Sequence, residues 1–203
     1  MKTTSTVTAI LVFVFSVSAF GEEKPVWEFS VEGNLYILED NTFFNPVISA
    51  DNNYFHLEAR YNDEDLETGS LFAGYNFQKG EDVAVRVTPM IGVVFGNSNG
   101  VAPGFIFELN YKKLSFSSEG EYLFSTDEKE SNFFYSWSEL AYSPAEWIWF
   151  GIAGQRTRAY KTDLDVQRGF LLGVGFGNFA ITGYLMDLGW DHPFALVSIE
   201  YSF

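Results

Sequence analysis

The sequence predicts an all-β fold, a single antiparallel transmembrane β-barrel. Successive segments alternate apolar and polar residues with a period of two, as strands with one apolar and one polar face do. Aromatic residues form 19% of the 203-residue chain, too many for a disordered polypeptide. Beyond the N-terminal stretch, no apolar run approaches the ~20 residues of a membrane-spanning helix. Strands that cross a bilayer must close into a barrel, because only closure satisfies every backbone polar group.

The first residues have the pattern of a cleaved secretory signal peptide. Lys2 precedes an apolar core at residues 9–15, and small residues at 17–19 form a cleavage site. The apolar core is too short for a membrane anchor. The sequence therefore predicts a signal peptide at residues 1–19 and a barrel at residues 20–203. The chain has no Cys, which excludes a disulfide, a lipoprotein attachment site and a thiolate metal site.

The first third of the barrel region contains four strand patterns. The second of them is weak because it contains Pro46, and it ends in a turn-rich cluster at residues 50–53. The polar faces of the first and third strand patterns contain Glu32, Glu58 and Arg60. The four patterns lie at residues 27–37, 42–49, 55–61 and 70–77.

The middle third continues the alternation. Lys112 and Lys113 separate two strands as a two-residue hairpin does, and a Gly- and Asn-rich loop is expected at residues 96–104. The last strand of this third is ambiguous, but if Leu140 and Tyr142 face outward, then Tyr135, Trp137 and Glu139 face inward. The four patterns lie at residues 83–95, 105–111, 114–124 and 133–142.

The last third completes the count. Gly177 and Asn178 form a second two-residue hairpin. The strand patterns lie at residues 148–154, 170–176, 179–185 and 194–203. A barrel whose two ends lie on one side of the membrane needs an even number of strands. Counting the weak pattern gives twelve, with the short turns on one rim and the acidic or Gly-rich connections on the other. Ten strands is the alternative, if residues 27–49 are organised differently.

Aromatic residues of the apolar phase cluster at both predicted rims, as in a membrane barrel. The alternative is a soluble barrel with its apolar face inward, but its surface would then be almost only Glu, Ser and Asn. The predicted girdles are Trp27, Phe29, Phe77, Tyr111, Tyr142, Phe176, Tyr201 and Phe203 at one rim, and Tyr61, Phe95, Phe105, Phe124 and Phe134 at the other.

The final strand carries a resemblance to a known family. Ala195, Val197, Ile199, Tyr201 and Phe203 share one face, and the chain ends on Phe203 two residues after Tyr201. This closing strand resembles the C-terminal strand of Gram-negative outer-membrane β-barrels. The resemblance implies that Tyr201 and Phe203 form the signal read by the barrel assembly machinery, and that the protein resides in the outer membrane.

The polar phase predicts an acidic lumen. Two interpretations remain open: the side chains pair and fill the lumen, or they line a narrow water path that favours cations or neutral solutes. Twelve strands lie between the packed eight-stranded barrels and the open sixteen-stranded ones, so geometry does not decide. The candidate lumen residues are Glu32, Glu58, Arg60, Arg86, Glu108, Glu119, Glu121, Tyr135, Trp137 and Glu139.

Three Arg residues near the outer rim fall in the outward phase. Continuing the alternation of the strand that begins at residue 148 places Arg156 and Arg158 outward, and the next strand places Arg168 outward. If the connecting loop centres on Asp163, Arg158 lies directly across from Arg168. We expect this cluster to bind lipopolysaccharide phosphate, because Arg suits bidentate phosphate contacts. The alternative is a bulge that turns the three inward, towards the excess carboxylates.

Other chemistries have little support. The formal net charge of −15 opposes nucleic-acid binding. His56 and His192 lack the His-x-Ser pair of outer-membrane phospholipases and lipid A deacylases, so no enzyme, catalytic residue or cofactor is predicted. Asp63, Glu64, Asp65 and Glu67 offer oxygen ligands but lack the spacing of a dedicated Ca²⁺ loop, so no metal is predicted either.

The sequence thus predicts a small porin-like channel with an acidic, cation-preferring lumen, in contact with outer-membrane lipid and lipopolysaccharide. The alternative is a structural or lipopolysaccharide-anchoring barrel without transport. An outer-membrane lipid-modifying enzyme has less support still, because no residues for its chemistry stand out.

Overall fold

The computed structural model describes residues 26–159, 165–189 and 193–203. The predicted signal peptide at residues 1–19 lies outside them. No helix in these parts of the chain has the length and apolarity needed to cross a membrane.

The described parts of the chain form thirteen strands and one short 3-10 helix, Lys129–Ser131. The strands are β1 (Glu28–Ile37), β2 (Thr42–Asp51), β3 (Phe55–Tyr61), β4 (Thr68–Tyr75), β5 (Phe77–Lys79), β6 (Val83–Gly96), β7 (Gly100–Tyr111), β8 (Leu114–Ser125), β9 (Phe133–Ala145), β10 (Ile148–Ala159), β11 (Asp165–Phe176), β12 (Phe179–Met186) and β13 (Phe194–Ser202).

Neighbouring strands pair antiparallel all the way round, and two pairings close the barrel. β1 pairs with β13, and both β4 and β5 pair with β6. β4 and β5 are therefore two segments of one barrel strand, and the barrel has twelve strands. The prediction of twelve strands is confirmed, and the weak pattern at residues 42–49 is a full strand in which Pro46 lies opposite Gly33.

Asn76 lies between β4 and β5, and its side chain forms hydrogen bonds with backbone groups around this break. Its side chain is buried, and Nδ2 donates to the carbonyl oxygens of Asn52 at 2.9 Å and Phe55 at 3.3 Å. Its Oδ1 accepts a hydrogen bond from Thr88 Oγ1 at 2.6 Å. These contacts replace the ladder hydrogen bonds that the break removes.

The connections segregate as the parity argument predicts. One end of the barrel, called here the turn rim, holds the connections at residues 52–54, 80–82, 112–113, 146–147 and 177–178. The other, called the loop rim, holds those that start after β1, β3, β6, β8, β10 and β12. The predicted loop at residues 96–104 is wrong in extent, because β7 begins at Gly100. Small residues there pair with β6, and a Cβ at Gly104 would lie 3.1 Å from Met90 Cε.

The outer face of the barrel is an apolar belt. Twelve of the thirteen predicted girdle aromatics are exposed on it, and Phe134 is half-buried. A soluble barrel would bury these side chains, so the outward apolar face contradicts the soluble alternative. The half-buried Phe134 belongs to β9, the strand whose sequence pattern is ambiguous, and Leu140 and Tyr142 of this strand do face outward.

Two apolar clusters pack inside the barrel. The loop-end cluster lies near the loop rim and consists of Phe72, Met90, Val94, Ala102 and Leu123. The second cluster lies on the β9–β13 side and consists of Ala141, Ala153, Leu171, Tyr184, Met186, Phe194 and Leu196. Between these clusters, towards the turn rim, the interior is polar.

Candidate functional site

A polar cavity of about 460 Å³ occupies the barrel interior. It extends from Glu200 and Asp51, near the turn rim, to Tyr36 and Asp63, near the loop rim. Its lining contains two arginines, Arg60 and Arg86, and no lysine. The lining carboxylates number eight: Glu32, Asp51, Glu58, Asp63, Glu108, Glu119, Glu139 and Glu200.

One side of the lumen carries a connected chain of ion pairs. Arg86 binds Glu108 with two hydrogen bonds of 2.7 Å and donates through Nη1 to Asp51 Oδ1 at 3.3 Å. Asp51 in turn lies 3.1 Å from His56 Nδ1, and His56 Nε2 lies 3.5 Å from Glu58 Oε2. Both ring nitrogens of the buried His56 therefore face carboxylates. We call these contacts, together with those of Arg60, the ion-paired wall.

Arg60 is the centre of this wall, near the end of β3 at the loop rim. Its Nε donates to Glu58, and Nη1 donates to Asp63 Oδ2 at 2.8 Å. Its guanidinium also lies within ion-pair distance of Glu121, at 3.5 Å, and Glu119, at 3.9 Å. One buried guanidinium thus faces four carboxylates, so negative charge remains in excess around it.

The guanidinium of Arg60 also packs on the loop-end cluster, since its Cζ lies 4.6 Å from the centre of the Phe72 ring. A cation over an aromatic face is attracted by the ring quadrupole. This contact joins the ion-paired wall to the loop-end cluster.

The opposite side of the lumen holds acids without basic partners. Glu32 accepts a hydrogen bond from Ser198 Oγ at 2.7 Å, and Glu139 accepts one from Trp137 Nε1 at 2.7 Å. Within the described chain, neither these two carboxylates nor Glu200 forms an ion pair. We call this side, formed by β1, β9 and β13, the acidic wall. The two sides of the lumen therefore differ in pairing: the carboxylates of one side have basic partners, and those of the other side do not.

Nine of the ten predicted lumen residues line the cavity. The tenth, Glu121, lies behind it against Arg60, Met90 and Tyr135. The prediction missed Trp149 and Tyr184, although strand alternation places both on the inward face. It also missed Asp63, which belongs to a connection and has no alternation to follow.

The β3–β4 connection, residues 62–67, is where the structure departs most from the expected solvated acidic loop. Asp65 and Glu67 are exposed, but Asp63 and Glu64 turn into the barrel. Asn62, with φ of 62°, starts the loop, and its Oδ1 accepts a hydrogen bond from the Glu67 backbone at 2.8 Å. An Asn tolerates this left-handed conformation and bonds its own loop.

The β10–β11 pair shows where the three outward arginines lie. Its register runs without a bulge, and Arg156 and Arg168 remain in the outward phase and exposed. The prediction that Arg158 lies across from Arg168 is wrong, because Arg168 pairs with Gly154 and Arg156 with Val166. The side chain of Arg158 lies outside the described residues. Arg156 and Arg168 are diagonal neighbours, which reduces the repulsion expected of directly opposed charges.

The two residues of the predicted assembly signal lie at the seam of the barrel. The Phe203 ring stacks on Phe29 at 5.8 Å and on Tyr201 at 5.7 Å. Its backbone exchanges two hydrogen bonds with that of Phe29, at 2.8 and 3.0 Å. The last residue therefore joins the first and last strands at the turn rim.

No protein-family model matches the chain, and no curated protein matches it. Solved structures do match. The KdgM porin is 15% identical with a TM-score of 0.66, over 86% of this chain and 99% of that one. The NanC porin is 11% identical with a TM-score of 0.57, over 85% and 98%. Omp33, an outer membrane protein of Acinetobacter baumannii, is 10% identical with a TM-score of 0.53, over 87% and 98%.

The chain has a porin fold. The likeness extends over nearly the whole length of each of these porins, so the barrel has their size as well as their architecture. The resemblance of the final strand to outer-membrane β-barrels is thus confirmed for the fold. At these identities, the likeness carries no information about the solute.

Proposed function

We propose that this protein is a small porin-like channel of a Gram-negative outer membrane, with an acidic lumen that prefers cations. The observation that carries the proposal is the charge of the cavity lining, eight carboxylates against two arginines. Such a lining raises the local concentration of cations and lowers that of anions along the path. The apolar outer belt and the porin fold support insertion in a bilayer.

The same charge argues against acidic sugars as the solute. One of the similar structures is the KdgM porin in complex with disordered oligogalacturonate, which is a polyanion. In this chain both lumen arginines already bind carboxylates, and Glu32, Glu139 and Glu200 have no basic partner among the described residues. A polyanion would meet net repulsion, so small cations and neutral solutes fit the lumen better.

Planar-bilayer recording of the refolded protein tests the proposal. Under a salt gradient, we expect single-channel steps and a reversal potential of the sign given by cation selectivity. An anion-selective reversal potential would contradict the acidic-lumen mechanism. Absence of steps from protein shown to be folded by its heat-modifiable mobility would contradict the channel itself.

A structural barrel without transport is the second candidate, and the packing near the loop rim favours it. The loop-end cluster and Arg60, with its four carboxylates, fill that end of the interior. Swelling assays in liposomes with neutral sugars of increasing size distinguish the two functions. A channel admits the small sugars, whereas a packed barrel admits none.

Lipopolysaccharide is the partner that we propose for the outer face. Arg156 and Arg168 are exposed in the outward phase near the loop rim, where lipid phosphates lie in an outer membrane. Arg158 belongs to this proposal through the alternation alone. Replacing Arg156 and Arg168 by Gln should weaken co-purification of lipopolysaccharide phosphate, while Lys112→Gln at the turn rim should not. Equal retention by both variants would contradict the site.

Export by a cleaved signal peptide at residues 1–19 and assembly through Tyr201 and Phe203 complete the proposal. N-terminal sequencing of protein taken from the outer membrane tests the first part, with residue 20 as the expected start. A mature chain that still carries Lys2 would contradict cleavage.

A further inference from the structure

The inward-turned loop brings two acids next to a third on β8. One carboxylate oxygen from each of Asp63, Glu64 and Glu121 lies within 4.8 Å of the other two. Three carboxylates at this separation repel one another unless a proton or a cation lies among them. Glu121 lies beside Met90 of the loop-end cluster, and Asp63 lines the polar cavity, so the group sits where the two meet.

Several buried oxygens around this group have no hydrogen-bond partner among the described residues. They are both carboxylate oxygens of Glu64, Oε2 of Glu121, Oγ of Ser70 and Oδ1 of Asn45. Glu121 is 4% exposed, Ser70 1% and Asn45 2%. Ser70 lies on the inward face of β4, opposite Arg60, and its hydroxyl is close enough to Glu64 to interact with that carboxylate. Buried polar atoms nearly always have a partner. This group of unpartnered oxygen atoms therefore points to a bound cation.

Arg60 neutralises the group only in part. Its guanidinium reaches Asp63 and Glu121, but it also serves Glu58 and Glu119, and none of its ion pairs includes Glu64. Glu64 is therefore left with a like-charged neighbour, Asp63, and with no ion pair among the described residues. A buried carboxylate in this situation gains most from a nearby cation.

We propose that Asp63, Glu64 and Glu121 bind a divalent cation of the size of Ca²⁺ inside the barrel, with the Ser70 hydroxyl as a neutral ligand. Ca²⁺ takes oxygen ligands at about 2.3–2.6 Å, so two oxygens bound to one ion are at most about 5 Å apart. The three carboxylate oxygens meet this condition, since all lie within 4.8 Å of one another. Ca²⁺ is a better candidate than Mg²⁺, because Mg²⁺ requires strict octahedral geometry and keeps several waters, whereas Ca²⁺ accepts an irregular set of protein oxygens.

The bound ion would join the β3–β4 loop to β8 across the interior. Asp63 and Glu64 come from the loop, whereas Glu121 comes from a strand on the far side of β6 and β7. The ion therefore fastens the loop inside the loop end of the lumen. The site does not depend on whether the channel conducts.

Equilibrium dialysis of ⁴⁵Ca²⁺ against the refolded, EDTA-treated protein in detergent tests the site. About 0.15 M NaCl screens diffuse attraction to the acidic chain. We expect saturable binding of a single ion per chain at about millimolar Ca²⁺ or below. Glu64→Gln and Glu121→Gln each remove one charged ligand of similar shape and should weaken binding at least tenfold. Glu67→Gln is the matched control, because Glu67 belongs to the same loop but is exposed.

Ca²⁺ should also raise the thermal unfolding midpoint of the wild type and of Glu67→Gln, but not that of Glu64→Gln. Heat-modifiable mobility shows that each variant is folded before binding is measured. Wild-type protein without saturable binding would overturn the proposal. So would a Glu64→Gln variant that binds as tightly as wild type, or a Glu67→Gln variant that loses as much affinity as Glu64→Gln.

Discussion

Asn45 on β2 donates a hydrogen bond through Nδ2 to Asp63 Oδ1 at 2.5 Å, and this contact holds the β3–β4 loop inside the barrel. Asn45 is almost fully buried, so water does not compete for the bond. Arg60 holds the other oxygen of Asp63. The loop therefore occupies the interior instead of extending from the rim.

Asn45→Ala should release this loop. The hydrogen bond to a charged group contributes about 1.5–3 kcal/mol, and without it the Asp63 carboxylate keeps only Arg60. We expect faster proteolysis within residues 62–67 of the folded barrel, measured by mass spectrometry of the fragments. Asn110→Ala, an exposed position near the turn rim, is the control and should leave the rate unchanged. Equal protection in both variants would show that Asn45 does not hold the loop.

Arg60→Met should be the most destabilising change in the ion-paired wall. It keeps the length of the side chain but leaves four carboxylates, two of them buried, without their cation. Breaking a buried pair in this way costs about 3–5 kcal/mol in the free energy of unfolding. Arg86→Met should cost less, because Arg86 is 28% exposed at the side chain against 4% for Arg60. Urea unfolding of both variants in detergent measures the difference, and a larger loss for Arg86→Met would contradict this ranking.

Glu119→Gln combined with Glu200→Gln should lower the cation preference of the channel. Both side chains line the cavity. Glu200 has no basic partner among the described residues, and Glu119 has only the longest ion pair of Arg60, at 3.9 Å, so its loss leaves Arg60 with three carboxylates. A lumen charge contributes about 1 kcal/mol to the energy of a passing ion, so the permeability ratio should fall roughly two- to tenfold. The reversal potential under a KCl gradient measures it.

The control for this change is Glu146→Gln, which removes the same charge from an exposed turn outside the cavity. An equal fall in the permeability ratio with Glu146→Gln would show that overall charge, and not the lining, sets the preference.

Phe203→Asp should impair both assembly and closure of the barrel. The change removes the stacking on Phe29 and Tyr201 and places a charge at the end of the seam. We expect less heat-modifiable protein in the outer-membrane fraction and more unfolded chain in the periplasm. Phe176→Asp is the control: Phe176 is an exposed aromatic near the same rim, where a charge costs only about 0–1 kcal/mol. Wild-type levels of folded Phe203→Asp would contradict the assembly signal.

The barrel could be predicted from the sequence because the alternation shows, at each strand residue, whether the side chain faces outward or into the lumen. A strand shifted by a single residue would turn Ile152 inward and Ala153 outward, so a belt of exposed aromatics fixes the register. The strand containing Pro46 was found by parity, not by its own pattern, since both ends must lie on one side. The Gly-rich composition of residues 96–104 led to the wrong prediction of a loop. Gly is common in loops, but here Gly104 lies in a strand that passes close to Met90.

The candidate site was predictable only where it lies on strands. Glu32 and Glu139 follow from alternation alone. Asp63 and Glu64 belong to a connection whose path depends on Asn45, eighteen residues earlier, and no local pattern records such a contact. For the same reason the spacing of Arg158 and Arg168 was misjudged, because the register there depends on pairing between β10 and β11.

The difference between the two walls has an electrical consequence. Both lumen arginines project from the β2–β8 half, whereas the β1, β9 and β13 half presents carboxylates alone. Positive charge is therefore confined to one side of the cavity, although both sides carry net negative charge. A zwitterionic solute would find partners for its carboxylate only at Arg60 and Arg86, whereas either wall could bind its ammonium group. Such a solute would take a preferred orientation across the cavity, whereas a simple monovalent cation would have none.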